Sequence, residues 1–62
     1  MTWELYEVWA NFDGHDELID TTKSLKEARQ LAKKAINEGA TNASVYKESA
    51  DGDYEVVEEI AP

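Results

Sequence analysis

Residues 24–39 read SLKEARQLAKKAINEG. Leu25, Ala28, Leu31, Ala32, Ala35 and Ile36 recur at three- and four-residue spacings, so they fall on one stripe of an α-helix. Lys26, Arg29, Lys33 and Lys34 occupy the other faces. Ser24 and Glu27 have the spacing of a capping box, in which hydroxyl and carboxylate each accept from an orphan backbone N–H of the first turn. Gly39 stands where a helix-ending glycine belongs, because glycine enters left-handed backbone without steric cost. The stretch predicts one amphipathic helix over 24–38. A helix with a single apolar stripe needs an apolar surface to lie on, and the flanking sequence must supply it.

Upstream, residues 3–12 (WELYEVWANF) are rich in aromatic and β-branched side chains and read as a strand. Tyr6, Val8, Ala10 and Phe12 alternate on one side. Trp3, Leu5 and Trp9 lie on the other, with Glu7 and Asn11 between them. Asp13-Gly14 is a hairpin turn signal, since both residue types tolerate positive φ. A shorter strand follows at about 16–21. Downstream, 42–48 (NASVYKE) and 53–60 (DYEVVEEI) read as a second strand pair around Asp51-Gly52. The expected fold is α+β, in the order ββαββ: one antiparallel-rich four-stranded sheet with a single helix packed on one face, in one domain spanning 1–62.

One helix covers one face of such a sheet. Tyr6, Val8, Ala10, Phe12, Val45, Tyr54 and Val56 are the expected helix-facing residues. Trp9, Leu5, Tyr46 and Val57 are expected on the opposite face. A one-residue slip exchanges the faces. A bulge in the first strand would turn Trp3 and Leu5 back towards the core. An uncovered face with aromatic side chains is a surface for a partner or for self-association.

Length and charge narrow the function. A chain of 62 residues buries only about 60% of the surface its unfolded form exposes, so its stability is marginal. There is no cysteine, which excludes disulfides and thiolate metal sites. The N-terminus has neither the basic region nor the apolar core of a signal peptide, and no run reaches membrane-spanning length, so a cytoplasmic protein is expected. The net charge is −8, distributed as −6 over residues 1–22, +4 over 23–34 and −6 over 35–62. Such a chain is repelled by phosphate and by anionic membranes, so direct nucleic-acid or membrane binding is not expected. A basic partner would be steered towards it.

Chemical motifs fail on inspection. Setting Gly52 at position six of a calcium-binding EF-hand loop puts Glu58 correctly at position twelve but Lys47 at the first ligand position. Setting Gly14 there puts Trp9 at the first position. His15, the single histidine, follows a turn glycine among Asp13, Asp16 and Glu17, where no pocket or orienting partner would make it a general base. Ser24 is used as a cap. Neither an enzyme, a metal site nor a cofactor is expected.

The segments YEVWANFDGHDELIDT and SLKEARQLAKKAINEGA with a closing hairpin resemble the small acidic ββαββ proteins of Gram-positive bacteria and their phages. The resemblance covers nearly the whole chain. It rests on element order and on the Asp-Gly hairpin, and it implies a cytosolic, non-enzymatic protein without assigning any binding residue. The resulting expectation is a small interaction protein. Trp9 is its aromatic anchor, since Trp is enriched at binding hot spots. Tyr46 and Val57 lie beside that anchor, and Glu7, Asp51, Asp53, Glu55, Glu58 and Glu59 form a charged rim that speeds encounter. The alternatives are an acidic mimic of nucleic acid that occupies a basic protein, and a structural homodimer.

Overall fold

The computed structural model describes residues 4–62. Asp13 and Gly14 both hold left-handed backbone, with φ of 57° and 85°, as a two-residue type I′ turn requires. Strands β1 (Leu5–Phe12) and β2 (His15–Thr22) run antiparallel from this turn, with Phe12 opposite His15. Asn11 braces the turn by accepting from Gly14 N–H and donating to Asp16, each at 3.0 Å.

Helix α1 spans Leu25–Asn37. Ser24 Oγ accepts from Glu27 N–H at 3.3 Å, which completes half of the expected capping box. The other half runs through an intermediary. Ser24 N–H donates to Thr22 Oγ1 at 3.2 Å, and Thr22 Oγ1 donates to the Glu27 carboxylate at 2.7 Å. At the far end Gly39 N–H bonds to Ile36 O and Ala40 N–H to Ala35 O, each at 3.0 Å. This is a Schellman motif, and Gly39 takes the left-handed conformation it needs at φ 111°.

Strands β3 (Asn42–Glu48) and β4 (Tyr54–Ile60) complete an antiparallel sheet of order β2-β1-β3-β4. The second hairpin is less tight than the first. Ser49 and Asp53 bracket Ala50, Asp51 and Gly52, with Gly52 left-handed at φ 86°. The central strands carry the core. Tyr6, Val8, Ala10, Ala43 and Val45 are buried against Ala28, Ala32 and Ala35 of the helix, with Ala40 beside them. Phe12, Ile19, Leu25, Leu31, Ile36 and Ile60 pack around that centre. The three buried helix residues are all alanines, so the helix axis lies close to the sheet.

Two register shifts alter the expected faces. In β2, Val8 pairs with Asp20 and Trp9 with Leu18, so Ile19 is an extra residue, and it packs against the core. In β4, Val45 pairs with Glu58 and Tyr46 with Val56, which leaves Val57 as the extra residue. Directly paired residues share a face, so this bulge reverses the phase of β4 beyond it. Tyr54 and Val56, expected against the helix, therefore lie on the open face, 58% and 50% exposed. Tyr6, Val8, Ala10, Phe12 and Val45 hold the helix side as expected. Trp3, and with it the expected start of the first strand, lies outside the described residues.

Candidate functional site

The face away from the helix is built by alternation along β1 and β3. Leu5, Glu7, Trp9 and Asn11 point to it from β1, opposite Glu48, Tyr46, Ser44 and Asn42 of β3. The outer strands extend it. Leu18 stands opposite Trp9, Val56 opposite Tyr46 and Tyr54 opposite Glu48. A groove of about 330 Å³ crosses this surface, lined by Glu7, Trp9, Ala10, Asp16, Asn42, Ser44, Tyr46 and Tyr54. It exists because a short side chain, Ser44, faces Trp9 while bulky rings flank the gap.

The groove is acidic. The Trp9 indole N–H donates to Glu7 Oε1 at 3.0 Å, which fixes the ring and holds the carboxylate beside it. The Tyr54 hydroxyl lies near the Glu48 and Glu7 carboxylates, and their negative charge, Glu48 foremost, pushes its pKa up. Glu59, opposite Ser44, adds a further carboxylate to this face. The cations lie elsewhere. Lys23 precedes the helix, and Lys26, Arg29, Lys33 and Lys34 are on it. Lys47 pairs with Tyr6 on the helix side and bridges Glu4 at 2.8 Å. Arg29 bridges Glu58 at 2.9 Å on that same side. Among the described residues, then, no Lys or Arg lies on the open face.

The site residues expected from sequence divide into two groups. Glu7, Trp9 and Tyr46 meet in the groove. Val57 is the unpaired bulge residue, 37% exposed, and is not part of the groove lining. Glu55 pairs with Lys47 and Glu58 with Arg29, so both belong to the helix side and not to the rim of the open face. Asp51 and Asp53 sit in the turn between β3 and β4, beyond the groove. Tyr54, Leu18 and Val56 are the large apolar residues of the open face that the sequence did not assign there, and Asp16, Asn42, Ser44 and Glu48 are its unassigned polar ones. A signal for the apolar ones was present: each bulge falls at an adjacent apolar pair, Leu18-Ile19 and Val56-Val57, where strict alternation breaks.

The carboxylates around Tyr54 make a direct prediction. The negative charges disfavour phenolate, so the Tyr54 hydroxyl should titrate above the usual value of about 10. Glu48→Gln should lower that midpoint, as followed by NMR of ¹³C-labelled tyrosine ring carbons. An unchanged midpoint would mean that Glu48 does not face Tyr54.

Among the described residues, no group of three or more His, Asp or Glu side chains is arranged to hold a metal ion, and no helix is long and apolar enough to cross a membrane. The chain matches no protein-family model, no curated protein and no solved structure.

Proposed function

We propose that this chain is a small non-catalytic interaction protein that docks a basic protein partner on its open sheet face. The observation that carries the reading is the coincidence on one surface of an aromatic groove, flanking exposed Leu18 and Val56, and carboxylates that no Lys or Arg among the described residues balances. Exposed apolar side chains gathered on one face mark interaction surfaces. Trp and Tyr supply the contact area that dominates interface energetics. The carboxylates would raise the rate of encounter with a positively charged surface.

The test is affinity capture from bacterial lysate with the wild-type protein and with Trp9→Ala, followed by NMR footprinting with the purified captured protein. Binding should shift resonances of Trp9, Tyr46, Tyr54, Leu18 and Val56, and Trp9→Ala should weaken it by at least tenfold, a hot-spot effect of about 1.4 kcal/mol or more. Stability should fall little, because Trp9 lies outside the buried core. A footprint on the helix would reject the reading. If Trp9→Ala unfolds the domain, the ring belongs to the core.

The separation of charges also supports a second reading, mimicry of a nucleic-acid backbone. The helix cations do not interrupt the carboxylates of the open face. A mimic should lose its partner steeply as salt rises, as phosphate-binding proteins lose DNA. Salt-indifferent binding would eliminate mimicry. A melting temperature that rises with protein concentration would point instead to a homodimer.

A further inference from the structure

We propose that the groove between Trp9, Tyr46 and Tyr54 takes an arginine side chain of the protein partner, its guanidinium held between aromatic rings beside the Glu7 and Glu48 carboxylates. The inference rests on the reading of the open face as a docking surface and narrows it to one kind of contact.

The register sets the geometry. Trp9 stands opposite Ser44, and Tyr46 stands opposite Glu7. Trp9 and Tyr46 are therefore diagonal neighbours across β1 and β3, with backbone positions roughly 7–8 Å apart. Both side chains line the groove, so a flat group entering it meets an aromatic ring from each central strand. Ser44 leaves the floor of this gap open, because its side chain is short. Tyr54 adds a third aromatic group to the groove lining.

Charge then selects the occupant. Glu7 and Glu48 flank the rings, and among the described residues no Lys or Arg on this face competes for them. Glu7 Oε1 already accepts the Trp9 N–H at 3.0 Å. A carboxylate has about four acceptor positions, so Glu7 keeps capacity for an incoming donor. Of the two basic side chains, arginine is planar, weakly hydrated and stacks on aromatic faces. Lysine is a compact ammonium that holds its water strongly. A neutral planar ring would stack without using the carboxylates. The site combines both demands, and guanidinium meets both.

The test titrates the wild-type protein at about 0.15 M salt, where the screening length is about 8 Å. The probes are three capped glycine–serine peptides that differ at one central position: arginine, lysine or citrulline. Citrulline keeps the planar shape of arginine without its charge. The Trp9 indole N–H resonance reads the groove directly. Lysine also makes cation–π contacts, but guanidinium in addition stacks flat on the rings and sheds its water more easily, so arginine should bind about fivefold more tightly than lysine. Citrulline should bind more weakly than arginine by a similar factor. Glu7→Gln should shrink the preference over citrulline, and Tyr46→Leu the preference over lysine; both positions lie on the open face, away from the core.

Equal shifts with arginine and lysine would overturn the stacked site. They would leave the acidic docking face standing, as attraction by charge alone. Equal binding of arginine and citrulline would overturn the role of the carboxylates. Absence of any shift at Trp9, Tyr46 or Tyr54 would overturn the inference outright, while the capture footprint would still judge the docking face independently.

Discussion

Val8→Ala should remove about 2–3 kcal/mol of stability, the effect of deleting two buried methyl-sized groups and leaving a cavity behind. Val8 and Val45 are both 0% exposed, and they pair directly across the two central strands. Every other fully enclosed side chain in the centre is small, so little neighbouring volume can relax into the gap. At roughly 0.05–0.15 kcal/mol per residue, a chain of 62 residues has about 3–9 kcal/mol in total. One valine therefore accounts for roughly a fifth of the margin or more. The matching change Val56→Ala, at a half-exposed position on the open face, should stay within about 0.5 kcal/mol. Urea midpoints of the two variants decide the matter. A lower midpoint for Val56→Ala than for Val8→Ala would mean that the faces have been exchanged. The double change at Val8 and Val45 should be non-additive by about 0.5 kcal/mol or more, since the two side chains share one site.

The second large effect runs against hydrophobicity. Ala32→Leu adds apolar surface at a position where leucine is nearly as good a helix former as alanine. It should nevertheless destabilise by about 1–3 kcal/mol, because a fully packed site cannot take three more carbons without moving the helix. Ala32 is 0% exposed, and Ala28 and Ala35 stand with it on the same stripe. Thermal melts of Ala32→Leu against Lys33→Leu, one residue further round on the exposed side, separate overpacking from any general effect of leucine. A rise in melting temperature for Ala32→Leu would show that the helix rests on the sheet with room to spare.

Helix α1 was legible because its signals are redundant. Stripe, cap and terminal glycine all agree, and each has a counterpart in the structure at Ala28, Ser24 and Gly39. The Asp13-Gly14 turn was legible for a different reason: two adjacent residues with positive φ leave few alternatives. What was not legible was the phase of the edge strands. A bulge inserts one residue at small energetic expense, and every side chain beyond it changes face. Tyr54 and Val56 went to the open face, and Glu55 to the helix side, through the single extra residue Val57. The candidate site suffered accordingly. Its β1 and β3 members, Glu7, Trp9 and Tyr46, were identified from alternation alone, whereas Tyr54 was placed in the core. Strand order was beyond reach because either hairpin could have placed its other strand at the centre. The observed order keeps the strands that supply the buried core inside and leaves acidic β2 and β4 at the edges, which discourages edge-to-edge pairing.

The location of the cations has a consequence for motion in solution. With Glu7, Asp16, Glu48 and Glu59 unbalanced on the open side of the sheet, and the Lys and Arg residues offsetting Glu17, Asp20, Glu55 and Glu58 on the helix side, the molecule has an electric dipole with a component along the sheet normal. In the field of a positively charged protein, such a dipole experiences a torque that turns the open face forward before contact. Rotational alignment of this kind would shorten the search for a productive encounter, and it would fade as added salt screens the field over shorter distances.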